Sequence, residues 1–108
     1  MLALTILGSN SAIPAFGRNP TAQVLQTQDE TFLIDCGEGT QQQLSRYKIK
    51  KSKISHIFIS HMHGDHYFGL IGLLSSMGLM GRTTDLYLHT PAPLQEIIQL
   101  QLKAAATT

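Results

Sequence analysis

A chain of 108 residues has room for one domain or part of one, and 43% apolar with 14% charged residues is a globular composition that excludes a disordered segment. A net charge of +1 gives no basic excess from which to argue a nucleic-acid partner, and the single cysteine, Cys36, excludes an internal disulfide. No apolar run approaches the ~20 residues of a membrane helix, and the apolar start lacks a basic leader and runs straight into Gly8, so a soluble, cytoplasmic protein is expected.

In chain order, residues 2–7 read as a buried strand. Gly8 to Pro20, rich in Gly, Ser, Asn and Pro, reads as a long loop, and a loop of that length in a compact domain is often functional. Thr21–Thr27 and Thr31–Asp35 read as a hairpin turning at Gln28-Asp29-Glu30, and Cys36-Gly37-Glu38-Gly39 breaks the second strand. Thr40 is placed to cap a short helix from Gln41 to about Tyr47. A basic connection, Lys48 to Lys53, leads into the clearest strand, Ile54–Ser60. There Ile54, His56, Phe58 and Ser60 should share one face, and Ser55, Ile57 and Ile59 the other. A helix is expected from His66 to about Met80, apolar at Phe68, Leu70, Ile71, Leu73, Leu74 and Met77. A strand Asp85–His89 follows, and Pro91-Ala92-Pro93 opens a last helix to about Ala106. The order implies an α/β layer with a mixed sheet. With helices on one face of that sheet, the other face is left uncovered.

The densest chemistry lies between the clearest strand and the helix after it, in His61-Met62-His63-Gly64-Asp65-His66. His61 and His63 are two apart on extended chain, so their rings can point the same way. Gly64 lets the backbone turn, which re-aims Asp65 and His66. Three imidazoles and a carboxylate within six residues suit zinc, and also manganese or iron. The spacing favours two ions, one on His61 and His63 and one on Asp65 and His66, ~4 Å apart, able to activate a shared water and to clamp the oxygens of a phosphodiester.

This loop resembles the metallo-β-lactamase superfamily. Gly8-Ser9 with Pro14, Arg18-Asn19-Pro20, Ile34 to Gln41, Ile57 to Ser60 and Phe68-Gly69-Leu70-Ile71-Gly72-Leu73-Leu74 narrow the resemblance to the ribonuclease Z family, over about residues 2 to 80. Beyond that the chain departs from it, with His89-Thr90-Pro91 where such proteins often have Tyr-Gly-Pro. The resemblance implies the N-terminal half of an αββα sandwich, with residues 1–108 a partial domain whose C-terminal half is absent. It implies two Zn2+ ions per complete site, the first on His61 and His63, the second on Asp65 and His66, and Asp65 as the catalytic residue that activates or orients water. The implied reaction removes the 3′ trailer from precursor tRNA, in a homodimer with no membrane. Further ligands, a His, a bridging Asp and another His, and a protruding arm that grips tRNA would come from downstream, so the chain alone is expected to be silent. The alternative is another hydrolase of the superfamily, acting on a small phosphodiester, a sulfate ester or a lactam.

Asp35, ending a strand before a glycine turn, is expected to orient the His loop as a hydrogen-bond acceptor, since imidazoles that bind metal usually have such a partner. Cys36 is expected to be a buried, inert thiol, and His56 and His89 to be structural. Arg18 is a candidate contact to an RNA phosphate, because a guanidinium pairs bidentately with phosphate. Arg46, Lys48, Lys50, Lys51 and Lys53 read as a solvated connection rather than a phosphate track.

Overall fold

The computed structural model describes residues 1–9 and 19–105; most of the expected loop, including Pro14 and Arg18, lies outside the described residues. Five strands form one sheet in chain order: β1 (Leu2–Gly8), β2 (Ala22–Thr27), β3 (Thr31–Ile34), β4 (Ile54–Phe58) and β5 (Tyr87–His89). β1, β2 and β3 run antiparallel to their neighbours, and β3, β4 and β5 are parallel, so the sheet is mixed as expected. The parallel strands need crossovers. The first runs through α1 (Thr40–Arg46) and the short 3-10 turn Lys51–Lys53, the second through α2 (Leu70–Leu79), and α3 (Ala92–Ala105) follows β5. No helix among the described residues is long and apolar enough to cross a membrane.

The helices cover one face of the sheet. Leu7, Val24, Leu33 and Ile57 meet Leu44 of α1, Leu70, Leu73 and Met77 of α2, and Leu94 and Ile98 of α3 in one buried cluster. The other face is open. Its two cross-strand rows are Leu4, Leu25, Phe32, His56, Tyr87 and Ile6, Gln23, Ile34, Phe58, His89. Leu4 and Ile6 are 60% and 56% exposed, far more than a globular core face allows.

Five expectations are corrected, the last of them the start of the helix expected from His66. Ile54 does not share a face with His56 and Phe58: Thr31 pairs with Ile54 while Phe32 pairs with His56, so Ser55 is an extra residue and Ile54 turns into the core beside Ile57. That strand ends at Phe58 rather than Ser60, and the last strand begins at Tyr87 rather than Asp85. Thr40 is not the cap. Gly39, at φ 85, precedes the helix, and the Thr40 hydroxyl donates back to the Gly37 carbonyl at 2.7 Å. The fifth concerns the helix expected from His66, which begins only at Leu70 after a 3-10 turn, Gly64–His66. Here the backbone is committed elsewhere: Cys36 N–H donates to the His66 carbonyl at 2.7 Å, and Gly69 N–H donates to the Cys36 carbonyl at 2.9 Å. A helix through His66 would need that carbonyl for its own ladder.

This two-point clamp works only where backbones touch. A Cβ on Gly69 would run into the Gly37 carbonyl, whereas one on Gly78, in the same helix, meets nothing within 4 Å. Gly69→Ala should therefore destabilise the fold by about 1–3 kcal/mol through overpacking. Gly78→Ala should stabilise it by about 0.5–1 kcal/mol, because alanine loses less backbone entropy in a helix. Urea midpoints of the two variants against the parent check both signs.

Candidate metal centre

β3 and β4 are parallel neighbours, so the chain leaves both at the same edge of the sheet, where ligands gather in open α/β sheets. Asp35 follows β3 with φ 60, a left-handed conformation that Asp tolerates better than most residues. Its N–H is held by the Phe58 carbonyl at 2.7 Å, and its carboxylate, 5% exposed, turns to the corner after β4. There it accepts the Ser60 N–H on Oδ1 at 2.9 Å, and it lies 3.0 and 3.1 Å from the Ser60 hydroxyl. His66 Nδ1 is 2.9 Å from Oδ2. Asp35 thus contacts the segment at both ends of the His loop, at Ser60 and at His66.

His61, His63, Asp65 and His66 converge. The rings of His61 and His63 are nearly parallel, 9° apart with centroids at 6.2 Å, and His66 lies 4.8 Å from His61 and 6.4 Å from His63. The 3-10 turn folds His66 N–H back onto the His63 carbonyl at 2.9 Å. One ligand atom each from His63, Asp65 and His66 therefore falls within 4.8 Å of the others. The spacing had paired His61 with His63 and Asp65 with His66, and this turn draws His63 toward the second pair. The donor set fits a divalent ion. His66 Nε2 and Asp65 Oδ2 are 3.7 Å apart, a gap that two bonds of about 2.1 Å to one ion can span. All three residues remain partly open to solvent.

Gly64 and Gly37 allow this geometry. Phe68 lies over Gly64 so closely that a Cβ there would enter its ring, and a Cβ on Gly37 would stand 2.7 Å from the Asp65 carbonyl. Cys36 is fully buried next to Asp35. Burial pushes its thiol up to about 12; a hydrogen bond from Thr40 opposes the shift and the Asp35 charge adds to it. No thiolate is present near neutral pH, so the expected inert role holds.

His56 and His89 meet on the open sheet face, Nδ1 to Nε2 at 3.0 Å, and stack with Phe58 and Tyr87, at the far side of the sheet from the helices. The lysine-rich connection precedes β4, and the His loop follows it. The strand's length, roughly 16 Å, therefore separates them, in keeping with a solvated connection. Arg82, which the sequence did not single out, ties the turn before β5 through the carbonyls of Thr84, Ser52 and Asp85. Sequence reasoning also missed Ser60. The available signal was its position, a hydroxyl residue between an apolar strand and the first ligand.

Two outcomes follow. Iodoacetamide should leave Cys36 unmodified in the native chain between pH 6 and 9 and label it once the chain is unfolded, as read by mass spectrometry. Asp35→Asn, which keeps the side-chain shape but loses one acceptor, should weaken zinc binding about ten- to a hundredfold in a competition titration against a chromogenic chelator.

A family model described as anti-Pycsar protein Apyc1 matches residues 2–107. Ribonuclease Z of Bacteroides thetaiotaomicron is 53% identical over 94 residues, which cover 87% of this chain and 30% of that protein. Ribonuclease Z of Prochlorococcus marinus is 48% identical over 99 residues, covering 90% and 32%. The crystal structure of the short form of human tRNase Z superposes with a TM-score of 0.89 at 39% identity, over all of this chain and 40% of that one. A diphosphatase of the PhnP family, TM-score 0.76 at 23% identity over 96% of this chain and 47% of that one, shares the fold. The chain thus spans about a third of the length of the curated relatives it matches. With a family model matched over almost every residue, the chain belongs to the metallo-β-lactamase-fold family that the Apyc1 model describes, and within it resembles part of ribonuclease Z.

Proposed function

We propose that this chain forms the His-loop part of a zinc-dependent endoribonuclease that removes the 3′ trailer from precursor tRNA. The observation that carries the reading is the convergence of His63, Asp65 and His66, with the His61 ring 4.8 Å from that of His66, and with His66 held by the Asp35 carboxylate. It occurs in a chain about half identical to ribonucleases Z. His61 and His63 are assigned to one Zn2+, Asp65 and His66 to a second. When bound, the ions supply Lewis-acid stabilisation and a water acidic enough to ionise near neutral pH. With the site filled, Asp65 would orient a water for attack on phosphorus, and its carboxylate would accept the proton. The bond from phosphorus to the 3′ oxygen breaks, leaving a 3′-hydroxyl on the tRNA and a 5′-phosphate on the trailer. Asp35 keeps the loop in place through the reaction, and Gly64 under Phe68 keeps Asp65 on the turn.

Two catalytic zinc ions need about three protein ligands each, even with one shared. The cluster offers four side chains, so the remaining ligands are assigned to residues outside this chain. The open, apolar sheet face supports the same division, with a second sheet packed on Leu4, Ile6, Phe32 and Phe58 as the other half of an αββα sandwich. The assembled enzyme is proposed to be a cytoplasmic homodimer that takes no part in a membrane. Arg18, outside the described residues, remains the proposed contact to an RNA phosphate.

A second reading, hydrolysis of a small phosphodiester at the same centre, is favoured by the family match, whose model is described by a protein other than a ribonuclease Z. Parallel assays on precursor tRNA and on a chromogenic phosphodiester separate the two. Turnover of the small ester alone would replace the leading reading.

Asp65→Ala, made in a polypeptide that carries this chain together with the remaining ligands, should lower kcat for precursor tRNA at least a thousandfold, while tRNA affinity changes by less than about threefold; the charge at the reacting phosphate develops mainly in the transition state. Equal loss of binding and turnover would contradict it. Residues 1–108 alone, supplied with zinc or manganese, should show no cleavage above background. Turnover like that of a complete enzyme would overturn the ligand count.

A further inference from the structure

We infer that the Ser60 hydroxyl is a positioning group that carries the hold of Asp35 from His66 across to His61, so that one carboxylate sets which ring nitrogen of both histidines faces the metal. This rests on reading His61 and His66 as ligands, but its test does not require a bound ion. The distances determine where the hydrogens lie. The ionised Asp35 carboxylate is acceptor-only. His66 Nδ1, 2.9 Å from Oδ2, must carry its proton toward Asp35, which leaves Nε2 bare for an ion. The Ser60 Oγ lies 3.0 and 3.1 Å from the two carboxylate oxygens, so its single hydrogen points at Asp35. Its lone pairs are then left for a donor, and His61 Nδ1 is 2.8 Å away. His61 therefore also carries its proton on Nδ1, with Nε2 bare. The longer 3.3 Å approach of His66 Nδ1 to the same hydroxyl is secondary to its bond with Asp35.

Without the hydroxyl, His66 keeps its direct partner and His61 loses its only orienting one among the described residues. The effect of removing it is accordingly one-sided. The backbone bond from Ser60 N–H to Asp35 Oδ1 survives the substitution, so the corner itself stays closed.

The test uses the 15N-histidine-labelled 108-residue chain without metal, read by long-range proton–nitrogen correlation spectra that distinguish the two neutral tautomers. In the parent, His61 and His66 should both show protonated Nδ1. In Ser60→Ala, His61 should shift to a mixture with Nε2 protonated while His66 is unchanged; in Ser60→Thr, which restores a hydroxyl, the parent pattern should return. Zinc competition titrations of the same three proteins should show Ser60→Ala binding about ten- to a hundredfold more weakly and Ser60→Thr close to the parent. An unchanged His61 tautomer in a folded Ser60→Ala chain overturns the inference. So does a folded Ser60→Thr chain with His61 protonated on Nε2, and this second comparison decides the matter if Ser60→Ala does not fold. Parent tautomers as stated with no zinc bound by a polypeptide that also carries the remaining ligands would instead overturn the metal reading and leave the relay standing.

Discussion

The Asp35 carboxylate sits where two parallel strands end, and it is buried at 5% exposure. A charge in that position is tolerated only when donors surround it. Ser60 N–H, the Ser60 hydroxyl and His66 supply them, and each belongs to the segment that follows β4. Its need for partners therefore dictates the path of that segment. The chain cannot run on as a strand past Ile59 or enter a helix at His66 without stripping the carboxylate of donors. The left-handed backbone at Asp35, a conformation that costs on the order of 1 kcal/mol, is retained because it aims this carboxylate across the strand ends.

Backbone proximity completes the corner. Cys36 is bonded through its N–H to His66 at the end of the His loop and through its carbonyl to Gly69 just before α2, and Gly37 and Gly69 provide the space for that approach. The buried thiol lies inside this contact, where its high pKa keeps it a small neutral filler. The acidic end of β3 and the packed start of α2 thus fix the intervening six residues from both sides. Loop conformation here follows from anchoring at the ends as much as from the loop's own sequence.

Much of this was legible in the residues. The apolar positions Leu70, Leu73 and Met77 mark the core, and His61 through His66 mark the candidate site by composition alone, whereas the strand expected to be buried at residues 2–7 exposes Leu2, Leu4 and Ile6 on the open face. What escaped depended on contacts distant in sequence. The extra residue at Ser55 reverses Ile54, and no local pattern announces it because either register leaves an apolar residue at the strand's start. The late start of α2 follows from bonds to Cys36, thirty positions earlier, that compete with the helix ladder. The grouping of His63 with Asp65 and His66 came from the handedness of a 3-10 turn, and spacing along the chain does not specify that. Ser60 went unread because a hydroxyl's role depends on what lies opposite it.

The hydrogen-bonding groups that orient the His loop among the described residues lie between Asp35 and Gly69, from the end of β3 through the first crossover and β4 to the start of the second crossover. Among the described residues, no hydrogen bond links the β1–β2 hairpin or the last helix to residues 61–66. A stretch of about thirty-five residues thus carries the hydrogen bonds that set the loop's geometry. Drift elsewhere in the chain can alter what the surface recognises without disturbing the ligand geometry, and one donor arrangement can persist through lineages whose substrates diverge.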